Sequence, residues 1–135
     1  MVAIQFEYQG DLHCKAVHGP SGTELTTDAP KDNQGRGESF SPPDLVATAL
    51  GTCMLTVMGI AARTQNLDIT GTTATVEKEM TTTAPRRIDS LTVKIHVPHS
   101  FSPENQQKLE RAAHTCPVHK SLHPDVKTPI EFTWA

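Results

Sequence analysis

The stretch SPPDLVATALGTCMLTVMGIAARTQ, residues 41–65, decides how the rest of the chain is read. Ser41-Pro42-Pro43-Asp44 has the form of a capping box, in which a serine hydroxyl and an acidic side chain three residues on satisfy each other's backbone N–H groups. Proline at the first helical position costs nothing, because first-turn donors have no partner inside the helix. The pattern predicts a helix over 42–65. Its apolar residues cover most of the circumference and leave Thr48, Thr52 and Thr56 as a narrow stripe at i, i+4 spacing. A helix this apolar must be covered on nearly all sides. One small sheet covers only one side, so a second subunit is expected on the rest. The threonines, with Gly51 and Gly59, interrupt the apolar run, which therefore reads as a buried helix rather than a membrane span.

Working toward the N-terminus, residues 2–8 alternate apolar and polar side chains and read as a strand with one buried face. Gln9-Gly10-Asp11 is a turn and 12–17 the returning strand. His18-Gly19-Pro20-Ser21-Gly22 is a second turn, with a third strand over 23–27. Residues 28–40, rich in Gly, Asp, Asn, Lys and Ser, are expected to be a mobile surface loop. Toward the C-terminus, the Thr- and Val-rich segment 68–80 reads as a long strand and 81–85 as a turn. The alternation of Leu91, Val93, Ile95 and Val97 makes 88–97 the partner strand. Ser102-Pro103-Glu104 opens a second helix running to His114, with Leu109, Ala112 and Ala113 inward. Residues 129–134 close the chain as a strand. The order βββ-α-ββ-α-β gives one α+β domain over 1–135, an antiparallel sheet on which the long central helix packs.

Composition fits this. A chain of 135 residues suits a single core. A charged fraction of 20% and a hydrophobic fraction of 36% describe a folded protein rather than a disordered one. The net charge of -3 argues against a nucleic-acid or anionic-membrane partner, either of which wants a basic face. Three cysteines, Cys14, Cys53 and Cys116, without a secretion signal point to the cytoplasm and to thiols reduced at rest.

The densest chemistry is HTCPVHK, residues 114–120. His114, Cys116 and His119 have ligand-like spacing, but a structural zinc site wants a second paired cluster, and none recurs, so no metal is expected. The plainer reading is a junction between helices, with Pro117 opening a new turn over 117–122 and Cys116 as its N-cap. The positive helix end would then favour the Cys116 thiolate, with His114, Lys120 or His119 adding to the effect. Cys53, three turns into the apolar helix, gains nothing from the dipole. By itself it reads as a small buried hydrophobe, or as a nucleophile that needs an imported cation.

Taken together, SPPDLVATALGTC at 41–53 and HTCPVHKSL at 114–122 resemble the OsmC/Ohr family of thiol-dependent hydroperoxide reductases. The resemblance covers nearly the whole chain. It implies the OsmC-like two-layer fold in an intertwined homodimer, with reactive sites at the subunit interface and no cofactor. It also implies that Cys53 attacks an organic peroxide, such as an alkyl hydroperoxide, and becomes a sulfenic acid. Cys116 then resolves it as a Cys53–Cys116 disulfide, which an external thiol or lipoyl reductant reduces. The family holds its first cysteine with a glutamate, where this chain has Pro43, and with an arginine in the N-terminal hairpin, where this chain has Gln9-Gly10-Asp11-Leu12-His13. Arg36, Glu38, Asp44 and His114 are the residues expected to stand in. An OsmC-like ligand- or metal-binding module without turnover is the alternative.

Overall fold

The structure, a computed structural model describing Met1–Ala135, divides the chain into two units, Met1–Val46 and Ala47–Ala135. In the first, β1 (Ile4–Tyr8), β2 (His13–His18) and β3 (Glu24–Asp28) form an antiparallel sheet in that order. Gly10 takes a φ of +87° to turn the chain between β1 and β2. Phe6 pairs with Ala16 and Ala16 with Leu25, so Ile4, Phe6, Tyr8, Ala16 and Leu25 share one face. The expected alternation is present, but the face is open: Phe6 is 73% and Tyr8 65% exposed. The burial expected for the first strand is therefore not met within the single chain.

Residues 28–40 are not a free loop. Asp28 N–H donates to the Phe40 carbonyl, Ala29 N–H to that of Leu12 and Gly37 N–H to that of Ala29, around a short 3-10 turn at Lys31–Asn33. The Ser39 hydroxyl donates to the Thr26 carbonyl. Gly35 lies so close to the Ala29 carbonyl that a Cβ would overlap it. The polar composition that suggested mobility supplies the turn hydrogen bonds instead.

The helix α1 (Pro42–Thr64) starts with the expected capping box: Asp44 N–H donates to Ser41 Oγ at 3.2 Å, and Ser41 N–H donates to Asp44 Oδ2 at 2.9 Å. The second unit adds β4 (Thr73–Met80), β5 (Ile88–Val97), α2 (Pro103–Ala113), α3 (Pro117–Ser121) and β6 (Ile130–Trp134), with strand order β4-β5-β6. Two expectations are corrected. The strand predicted over 68–80 begins only at Thr73, because Asp68 caps a turn by accepting from Thr70 N–H, and Gly71 takes a φ of +91°. The sheet is also not wholly antiparallel: β6 runs parallel to β5, with Val93 opposite Ile130. The connection through α2 and α3 is long enough to cross over and return the chain in the same direction.

The core of this unit joins Leu50, Met54 and Met58 of α1 to Leu91, Val93 and Val97 of β5 and Leu109 and Ala113 of α2, all at 0% exposure. A Cβ on Gly51 would stand 3.1 Å from Val76 Cγ2, so glycine there lets α1 lie close against β4. Only this side of α1 is buried. Thr48, Thr52 and Thr56 are exposed. Thr52 and Thr56 turn their hydroxyls onto the helix's own carbonyls. Ile60 is 61% exposed. The helix has the length and apolarity of a membrane span, a property that core helices share.

Candidate active site

HTCPVHK is the helix junction its proline implied. Ala113 ends α2, His114 occupies its C-cap, and Pro117 restarts the chain as α3. Cys116 is the N-cap of α3, its Sγ accepting from His119 N–H at 3.4 Å. The expected consequence does not follow. Burial pushes the Cys116 thiol above its ordinary value of 9.0, and both the neighbouring Cys53 thiol and the charge it would carry act in the same direction. The N–H groups of His119 and Val118 pull the other way and do not prevail. Cys116 has no exposed surface, and withdrawing an anion from water outweighs what one short helix end returns. The expectation that the helix end favours the Cys116 thiolate is overturned.

The influence of Cys53 on this thiol places it close to Cys116, and the proximity defines the site. Cys53, on α1, and Cys116, on the junction, lie side by side as free thiols. They differ in access: Cys53 is half-buried and Cys116 fully buried. On the same turn as Cys116, the His119 ring is anchored by Nε2 to Thr128 Oγ1 at 2.8 Å, while its Nδ1 is buried without a hydrogen-bond partner.

The other candidates have different surroundings. His114 is exposed, its ring edge-on to Phe132 at a centroid distance of 6.4 Å. His114, Cys116 and His119 do not assemble as a ligand set, and no group of three or more His, Cys, Asp or Glu side chains is arranged to hold a metal. Arg36, Glu38 and Asp44 belong to the first unit. Asp44 is engaged in the capping box, Glu38 donates its N–H to Asp28 Oδ2, and the Arg36 charge acts on the Asp28 carboxylate. Cys14 sits half-buried on β2 between Tyr8 and Thr27.

Sequence reasoning missed the pair His13–Asp28. His13 Nδ1 lies 2.6 Å from Asp28 Oδ1, and Asp28 is only 2% exposed. The hydrogen bond from His13 holds the carboxyl below its ordinary 3.8; burial opposes it, and the His13 charge, the Glu38 N–H and the Arg36 charge reinforce it. The two residues are register partners on β2 and β3. Ending β3 at Thr27 is what concealed the pairing.

The family model described as OsmC-like protein matches residues 35–131. Among solved structures, a Psychrobacter arcticus protein provisionally named as an osmotic stress induced and detoxification response protein is similar at 45% identity. The match covers 98% of this chain and 96% of that one, with a TM-score of 0.93. The organic hydroperoxide resistance protein OhrB of Bacillus subtilis has the same fold at 17% identity, a TM-score of 0.74 and 98% coverage of both chains. The OsmC like protein from Mycoplasma pneumoniae has it at 16% identity and a TM-score of 0.83, over 100% of this chain and 97% of that one. Among curated protein sequences, none matches the chain.

Proposed function

This chain belongs to the OsmC-like protein family, and we propose that within it the protein is a thiol-dependent peroxidase that reduces organic hydroperoxides to alcohols and works as a homodimer. One observation carries the reading: two free cysteines lie close enough to influence each other's ionisation, and only one of them is open to solvent. That arrangement separates an attacking thiol from a resolving one. The Cys53 thiolate takes the terminal peroxide oxygen, the O–O bond breaks, and the alkoxide leaves as alcohol after protonation. Cys116 displaces hydroxide from the resulting sulfenic acid, closing a disulfide that an external dithiol or lipoyl group reduces by exchange. An alkyl tail lying along apolar side chains gains about 0.8 kcal/mol per buried CH2, which favours organic peroxides over hydrogen peroxide. The names of relatives with this fold, organic hydroperoxide resistance proteins among them, support the same class of substrate.

The homodimer is supported by what the single chain leaves uncovered: Ile4, Phe6, Tyr8 and Leu25 on one sheet face and Ile60 on α1. Apolar surface that is contiguous across paired strands marks an interface.

The deciding experiment adds one equivalent of cumene hydroperoxide to the reduced protein and maps the cysteines by non-reducing peptide mass spectrometry. A Cys53–Cys116 disulfide is expected in the wild type, a trappable Cys53 sulfenic acid in Cys116→Ser, and no peroxide consumption in Cys53→Ser. A wild type that consumes no peroxide and forms no such disulfide overturns the reading.

A further inference from the structure

His119 Nδ1 is the buried side-chain nitrogen without a hydrogen-bond partner, and a buried polar atom left unpaired calls for a reason. The ring is not loose, because Nε2 is fixed on Thr128 Oγ1 at 2.8 Å. The tautomer with its hydrogen on Nε2 donates to Thr128 and avoids burying an unpaired N–H, so Nδ1 carries a bare lone pair. The backbone of the same residue is pinned to the resolving sulfur, with His119 N–H donating to Cys116 Sγ at 3.4 Å. The unpartnered ring nitrogen thus belongs to the same helical turn as a thiol that has lost contact with water, with no hydrogen bond between the two at rest.

That thiol has a proton to lose. Cys116 is fully buried with Cys53 close by, and both conditions keep it neutral. A neutral thiol is a poor nucleophile, so disulfide closure needs a base that solvent cannot supply at this depth. We propose that His119 is that base, taking the Cys116 proton on Nδ1 as the disulfide forms, with Thr128 as the residue that positions its ring; the proposal rests on the thiol-peroxidase reading above. In the step, the Cys116 sulfur attacks the sulfur of the Cys53 sulfenic acid. The S–S bond forms as the S–O bond breaks, the Cys116 sulfur being oxidised and the Cys53 sulfur reduced. The proton passes from Cys116 to His119 Nδ1 and on to the departing hydroxide, which leaves as water.

The test isolates this step from the peroxide chemistry. In a Cys14→Ser background, dithionitrobenzoate labels Cys53, the cysteine of the pair with exposed surface. Attack by Cys116 then closes the disulfide and releases coloured thionitrobenzoate, with no peroxide present. His119→Gln, which keeps an amide near Thr128 but has no titratable nitrogen, is expected to slow release at pH 7 by about 100-fold, the lower end of what a positioned base contributes. The wild-type rate should level off with rising pH once the base is free, whereas H119Q should keep climbing about tenfold per pH unit, as thiol ionisation alone dictates. Thr128→Val retains the imidazole and should slow release less, keeping the wild-type shape of the profile; it serves also if H119Q does not fold by circular dichroism. Release from H119Q at the wild-type rate with the wild-type profile overturns the proposal. If peroxide fails to close the disulfide in the wild type while label release still depends on His119, the peroxidase reading falls and the role of His119 stands.

Discussion

The two sheets of this protein carry the same alternation and meet opposite fates. On β5, Leu91, Val93 and Val97 are at 0% exposure, while on β1 the equally alternating Ile4 and Phe6 are 48% and 73% exposed. Period-2 patterning specifies which side chains share a face, and says nothing about what lies across from it. In the second unit α1 and α2 supply that cover. In the first unit the uncovered face is the surface on which the proposed second copy would pack. The units also differ in the titratable group each has buried: a carboxyl held in its charged form in the first, and a thiol held in its neutral form in the second.

Four substitutions turn this contrast into measurements. Leu91→Ala opens a cavity in the covered sheet and is expected to cost about 2–5 kcal/mol in urea unfolding, as for other fully buried leucines. Phe6→Asp, on the open sheet, should leave the fold intact and shift the solution mass from dimer to monomer by light scattering. A wild type that is already monomeric, with F6D changing stability by less than about 0.5 kcal/mol, makes the open face ordinary surface.

The remaining two concern pH. Because the folded-state value of Cys116 is raised, its contribution to stability is full below 9.0 and is lost as pH climbs from there through the folded value. Cys116→Ala should therefore flatten the alkaline fall of the unfolding midpoint. Asp28 is the mirror case in the first unit. Its folded value is depressed, so its contribution is present above 3.8 and disappears as pH falls through the folded value, and Asp28→Asn should flatten the acid limb. If D28N alters the alkaline limb, or C116A the acid limb, the assignment of the acid effect to Asp28 and the alkaline effect to Cys116 fails.

Much of the fold was legible because its signals are local. Ser41 and Asp44 specify a helix start through contacts three residues apart, and the same logic at Ser102 and Pro103 places α2, with Ser102 Oγ accepting from Asn105 N–H. Residues 88–97 are a strand as their alternation requires. The errors fell where distant parts of the chain decide. The parallel direction of β6 depends on how a helical connection crosses a sheet. The tethering of 28–40 depends on carbonyls at Leu12 and Thr26 that no local pattern shows. In the second unit, Cys53 and Cys116 were legible as a pair through their flanking motifs, but the unpaired His119 Nδ1 was not; in the first unit, neither was the contact of His13 with Asp28.

The sequence by itself determined the helices, most of the strands, the cysteine at a helix cap and the surplus of apolar residues on α1, since each depends on neighbours a few positions away. Only the tertiary structure decided that burial keeps the capping cysteine's thiol neutral, that Cys53 lies close to it, and that the imidazole of its own helical turn keeps one nitrogen unpaired. Helix-end polarity is a short-range effect legible from two or three residues. The desolvation that overrides it is set by the packed core as a whole, in which Leu50, Val93 and Leu109, from three separate parts of the chain, are as fully buried as the sulfur itself.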